Sequence, residues 1–206
     1  PGCRPLPPGR RAWRLPYRRM NDPSSRRLDR LPAKNDEGET LAVIEACQGS
    51  RNKLRYHPGH AAFELHGVLP AGMSFPYDFG FVPSTLGEDG DPLDVLVLMD
   101  EAVPVGSVVP CRLVGVVAAE QKERGGEAVR NDRLLAVATA SRRYASARLI
   151  ADIAPHVLDE IERFFVFYNR EKAVEFRPVG RHGVQEAERL LEAGRRAFQA
   201  GQHGAP

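Results

Sequence analysis

The chain reads as an α+β protein, a small barrel of short strands packed against C-terminal helices. From about Thr40 to Ala138, apolar and β-branched residues come in short runs separated by Gly, Pro, Asn and Asp. Helical spacing of apolar residues is confined to the C-terminal third. With 206 residues, 42% of them hydrophobic, the chain can bury one good core, so one domain is expected.

In order along the chain, Leu41-Ala42-Val43-Ile44 predicts a first strand leading to Glu45, and Lys53–Tyr56 a second. His57-Pro58-Gly59-His60 turns the chain into Ala61–Leu65, a hairpin bracketed by His57, His60 and His66. The stretch from Gly72 to Pro83 is aromatic and punctuated by Gly and Pro. It is expected to be a rigid connection rather than a regular element. Strands follow at Leu93–Leu98, Val108–Ala119 and Arg133–Ala138. Between the last two, Glu120–Asp132 holds Gly125-Gly126 and seven charged residues, a mobile loop or hairpin tip. Leu158, Ile161, Phe164, Phe165 and Tyr168 form a helical stripe that starts after Pro155. Val184, Ala187, Leu191 and Phe198 form a second, ending near Gly201.

Charge is unevenly spread. Residues 1–34 hold ten Lys/Arg against two Asp/Glu and are rich in Pro, so they are expected to form a disordered basic extension to a single domain over 35–206. The sequence opens on Pro1, and Met20 begins a more ordinary start. Residues 1–19 are therefore expected to be upstream translation or a remnant of cloning. The rest of the chain is net acidic, which argues against a nucleic-acid partner. No apolar run approaches membrane-spanning length. Cys3, Cys47 and Cys111 are odd in number and widely spaced, which fits a reducing cytoplasm better than a disulfide framework or a zinc site.

The most informative stretch is Glu88-Asp89-Gly90-Asp91-Pro92-Leu93-Asp94, from which Val95-Leu96-Val97-Leu98 departs. Like charges held this closely on a rigid frame repel unless a cation joins them. Carboxylate oxygens are the ligands Mg²⁺ prefers, with water and phosphate completing its shell. An EF-hand is excluded, because Leu93 stands where a third ligand belongs and no Glu closes the loop.

This run resembles the signature of the soluble family I inorganic pyrophosphatases. Val43-Ile44-Glu45, Ser50-Arg51-Asn52-Lys53, Phe75 through Leu86, Val105 through Val116, and Phe164-Phe165 through Tyr168 resemble the family's flanking segments in order and spacing. The resemblance spans roughly Leu41 to Gly180. It implies a five-stranded OB-like barrel with two C-terminal helices, and hydrolysis of inorganic pyrophosphate by a Mg²⁺-activated water. It also implies a homo-oligomer, commonly a hexamer. Asp89 and Asp94 would ligate metal, Asp91 would ligate metal and orient or deprotonate the water, and Glu45 would support the shell. Lys53 would hold a phosphate, and Tyr168 would hydrogen-bond one.

The chain departs from the family pattern at several places. Arg55 replaces an acidic residue and points the same way as Lys53, two residues before it. Gly67 replaces an arginine whose phosphate contact Arg55 is expected to take over. Phe75 and Phe79 replace tyrosines, and Asn169 replaces a lysine, with Arg170 adjacent. Strict register puts Asn131 at an aspartate position and Arg133 at a lysine. A one-residue bulge would present Asp132 as metal ligand instead, keeping Arg133 as a phosphate contact. These departures support a second reading, a weakened relative that binds metal and phosphate or cleaves another phosphoanhydride. A third, an OB-like nucleic-acid module using the basic tail, has the acidic body against it.

Overall fold

Residues 27–203 are described in this computed structural model. In chain order the strands are β1 (Thr40–Ala46), β2 (Asn52–His57), β3 (Ala62–Val68), β4 (Asp78–Phe81), β5 (Asp94–Leu98), β6 (Val108–Lys122), β7 (Ala128–Arg130), β8 (Arg133–Ala138) and β9 (Glu175–His182). Helix α1 (Pro155–Arg170) precedes β9, and α2 (Val184–His203) follows it.

Five of these strands close into a ring. β1 pairs with β4, β4 with β5, β8 with β6, and β6 returns to β1, all antiparallel. The fifth contact, β5 to β8, is parallel, from Val95 opposite Leu134 to Leu98 opposite Val137. This is the five-stranded barrel that the family resemblance implies. The far half of β6 runs past the ring and carries β7 on one edge and β9 on the other. The hairpin β2–β3 forms a separate two-stranded sheet.

Ring strands bury both faces, which is why their sequences read as continuous apolar runs rather than alternating ones. Leu96, Leu98, Leu135 and Val137 join one core cluster with the α1 residues Ile161, Phe164 and Phe165. Their neighbours Val95, Val97, Leu134 and Ala136 join a second with Ala187 and Leu191 of α2. The alternating side chains of each strand thus feed two cores, one under each helix. Pro155 opens α1 at its first turn, where its missing N–H costs nothing. All five residues of the predicted stripe in α1 are buried.

Two expectations need correction, and one strand lies outside every stretch read as regular from the sequence. The Gly72–Pro83 connection contains β4, whose four residues are all buried in the middle of the sheet. Gly80 is what permits it. A Cβ there would lie 1.8 Å from the Val43 carbonyl oxygen, so the glycine that reads as loop punctuation allows two strands to approach. Glu175–His182 forms β9 although it contains Pro178 and Gly180, which its place at the edge of the sheet tolerates. Residues 27–34, expected in a disordered extension, pack against the fold. Leu28 and Leu31 lie against Val43, Tyr56 and Phe81, Ala33 is buried, and the Leu28 N–H donates to the Tyr56 hydroxyl at 3.2 Å. The expected disorder of residues 1–26, and the reading of residues 1–19 as upstream translation or a remnant of cloning, lie outside the described residues. Among the described residues, no helix is long and apolar enough to cross a membrane.

Gly80→Ala is expected to destabilise the fold by about 3 kcal/mol or more, since backbone rather than a flexible side chain blocks the new methyl. Denaturant unfolding of the variant beside the wild type measures this.

Candidate active site

A cavity of about 610 Å³ opens where the strand ends, the β2–β3 hairpin and the C-terminal end of α1 meet. Its acidic side is built by the turn before β5. Gly90 takes a φ of +85°, the Gly87 N–H donates to the Asp91 carbonyl at 2.7 Å, and the Asp91 N–H donates to Asp89 Oδ1 at 3.1 Å. These bonds hold Asp89 and Asp91 at the cavity, and Asp94 joins them as the first residue of β5. Loss of hydration raises the Asp89 carboxyl above its ordinary range. The Asp91 N–H opposes that rise, and the charges of Asp94 and Asp91 add to it.

Asp94, Glu45 and Asp91 each face a cation. The parallel register of β5 and β8 sets Arg133 beside Asp94, 2.8 Å apart. Arg133 is 4% exposed and stacks its guanidinium 4.9 Å from the Phe165 ring centre and 5.3 Å from that of Phe176. Among the described residues its Nε is buried without a hydrogen-bond partner, an uncommon state for an arginine donor. Glu45, buried at the end of β1, accepts from the Tyr56 N–H at 2.9 Å and from Lys53 Nζ, which ties the hairpin to the barrel. Lys53 Nζ also lies 4.4 Å from the centre of the Phe79 ring. Arg55 pairs with Asp91 across the mouth, both side chains 52% exposed. An exposed pair of this kind contributes about 0–1 kcal/mol and opens easily.

Tyr168 completes the floor. Burial and the charge of Asp94 push its hydroxyl up to about 12. That oxygen accepts from Lys172 Nζ at 2.6 Å. Lys172 is held below its ordinary value by burial first, then by Lys53 and Arg133. His66, on β3, also lines the cavity, and burial together with Lys172 and Arg55 lowers it.

Residues 42–199 match the family model for inorganic pyrophosphatase. The chain is 38% identical over 173 residues to the inorganic pyrophosphatase of Nostoc sp., covering 84% of this chain and 99% of that one. The chain belongs to the inorganic pyrophosphatase family. It is also 37% identical over 166 residues to the Thermus thermophilus inorganic pyrophosphatase, covering 80% of this chain and 92% of that one. The solved Thermus thermophilus structure superposes with a TM-score of 0.75, at 32% identity over 84% of this chain and 98% of that one. The Helicobacter pylori pyrophosphatase superposes at 0.74, with 33% identity over 82% of this chain and 98% of that one.

Of the residues singled out from sequence, Glu45, Lys53, Arg55, Asp89, Asp91, Asp94, Arg133 and Tyr168 converge on this one cavity. Asp132 does not. Its carboxylate accepts from the Ala119 N–H at 2.9 Å and pairs with Arg130 at 2.8 Å, facing a neighbouring cavity of about 280 Å³. Asn131 takes the inward place, donating to Gln121 Oε1 at 2.8 Å and accepting from Arg133. The cause is local. Ala119 offers a carbonyl to the Asn131 N–H and an N–H to the Asp132 carboxylate, so extending the β6 pairing consumes the acid.

Asn169 is equally committed to structure, its amide donating to the Phe165 carbonyl at 2.8 Å inside α1. Arg170 stands by Phe167, outside the cavity lining, and Lys172 brings the positive charge instead. Sequence reasoning missed Lys172, whose signal was its four-residue spacing from Tyr168. Phe75 packs on Phe79, Phe164 and Tyr168, and Phe79 carries Lys53 on its face.

Asp132→Ala is expected to cost about 1.5–3 kcal/mol of stability, the worth of a hydrogen-bonded charge. Mg²⁺ affinity is expected to stay at the wild-type level. Calorimetric Mg²⁺ titration beside denaturant unfolding separates these, and a large loss of Mg²⁺ affinity would return Asp132 to the metal shell.

Proposed function

We propose that this chain hydrolyses inorganic pyrophosphate to two phosphates with Mg²⁺ as its cofactor. The observation that carries the reading is one cavity of a pyrophosphatase-family chain that six carboxylates, Asp89, Asp91 and Asp94 among them, line together with four Lys and Arg side chains. Pyrophosphate is a polyanion attacked by an oxygen nucleophile, so both the substrate's charge and the nucleophile's proton must be managed at one place.

The residues fit a hard divalent cation. Asp89, Asp91 and Asp94 offer only oxygen donors, and the protein's own cations stand beside Asp91 and Asp94. Mg²⁺ held there supplies an acidified water and screens the phosphate oxygens. Glu45 keeps Lys53 in place as a phosphate contact, and Arg133, which lines the same cavity, serves as another. Arg55 takes over the clamp absent at Gly67, and Lys172 holds a phosphate next to the Tyr168 hydroxyl. Asp91 accepts the proton of the attacking water once its exposed pair with Arg55 opens. A new phosphorus–oxygen bond forms to that water, and the bridging bond breaks to release the second phosphate.

The family resemblance further supports an assembly of identical subunits, a hexamer on the common pattern, working in the cytoplasm. Phe167, 53% exposed on α1, is an apolar residue such an assembly would cover.

Phosphate release from pyrophosphate is expected to require Mg²⁺. It should fall by about 10²–10⁴-fold in Asp91→Asn, the loss of a positioned base. Folded wild-type protein that releases no phosphate with Mg²⁺ would refute the reading. A second test uses the lowered Lys172. Its positive charge is lost as pH rises through a value below the ordinary 10.5, so kcat/KM should decline on the alkaline side. Lys172→Arg, which keeps its charge, is expected to move that decline to higher pH. An unmoved alkaline limb would exclude Lys172 from substrate binding.

A further inference from the structure

We propose that the turn of the β2–β3 hairpin is a second metal site, in which His57, His60 and Glu64 take up a late first-row divalent ion such as Zn²⁺. One donor atom from each of the three side chains lies within 4.8 Å of the other two. His60 Nδ1 is 2.7 Å from Glu64 Oε1, and the rings of His57 and His60 stack with centres 4.2 Å apart and planes at 25°. Donors around a tetrahedral zinc stand about 3.3 Å apart, given bonds of about 2.0–2.1 Å. All three side chains are exposed, so small rotations close the remaining gap without disturbing a packed core.

The backbone brings these donors together. The His60 N–H donates to the His57 carbonyl at 3.2 Å, folding the turn back on itself, and the left-handed Ala61, at φ +49°, starts the return strand. His57 stands opposite Ala62, and Glu64 opposite Arg55, in the hairpin register. His57 is two residues beyond Arg55 and shares its face of β2. An ion bound here would tie the turn to β3, on the hairpin that carries Lys53 and Arg55.

Its chemistry differs from that of the carboxylate cavity. Two imidazoles and one carboxylate suit zinc, nickel or copper, whereas Mg²⁺ favours an all-oxygen shell. None of the three residues lines the large cavity. The proposal therefore stands apart from the pyrophosphatase reading, and the two can fail separately.

The test is calorimetric titration of Zn²⁺ into the full chain with Mg²⁺ in large excess, so that the hard cation competes for the carboxylate cavity. Wild type is expected to bind one equivalent of Zn²⁺ more than the His57→Ala/His60→Ala double variant. Glu64→Gln is expected to weaken that equivalent by about tenfold or more, because a neutral amide replaces the carboxylate ligand. Cu²⁺ supplies an independent signature, since nitrogen superhyperfine splitting in its paramagnetic resonance spectrum should be present in wild type and reduced in the double variant. Mg²⁺-dependent phosphate release by the double variant should match wild type, which also shows that it is folded. Equal Zn²⁺ uptake by wild type and double variant, or none by wild type, would overturn the proposal.

Discussion

The parallel pairing of β5 with β8 is the constraint on which the site depends. It places Asp94 and Arg133 side by side as the first residues of neighbouring strands, where a dry barrel core meets the cavity. A buried guanidinium without a carboxylate would be costly, and a buried ion pair is tolerable only when it is well placed. Here the pair is 2.8 Å apart, and two aromatic rings cover the guanidinium. The ring of strands thus fixes one metal-ligand candidate and one phosphate-contact candidate in a single step.

Around that pair the cavity is arranged by charge balance. Glu45 is deeply held and structural in its bonds, joining hairpin to barrel through Lys53 and the Tyr56 N–H. Asp91 and Arg55 are exposed and weakly bound to each other, so they are free to exchange partners. The site is therefore rigid at the strand ends and adaptable at its mouth. That is the division expected when binding must position a polyanion before a water attacks it.

Much of this was legible in the sequence because strand periodicity and one acidic run carry it. Asp89, Asp91 and Asp94 lie within six residues, and Lys53 and Arg55 share a strand face, so their convergence follows from local geometry. The choice between Asn131 and Asp132 was not legible, since it turns on which of two adjacent polar residues satisfies Ala119. Lys172 was hidden because it follows the end of α1, just before the chain reverses through Ala173 at φ +56°. β4 was hidden because Gly80 marks a close strand approach rather than a loop. The stretch at 27–34 was hidden because its basic composition outweighed two leucines that pack on Tyr56 and Phe81.

The proposed division of labour gives Asp89, Asp91 and Asp94 to metal and Lys53, Arg55, Arg133 and Lys172 to phosphate. A crystal structure with Mg²⁺ and the non-hydrolysable analogue imidodiphosphate tests it most directly. Metal density is expected among the three aspartates, phosphate oxygens on the basic residues, and Asp132 still bonded to the Ala119 N–H. Metal held by Asp132, or the analogue bound away from Arg133 and Lys53, would contradict it.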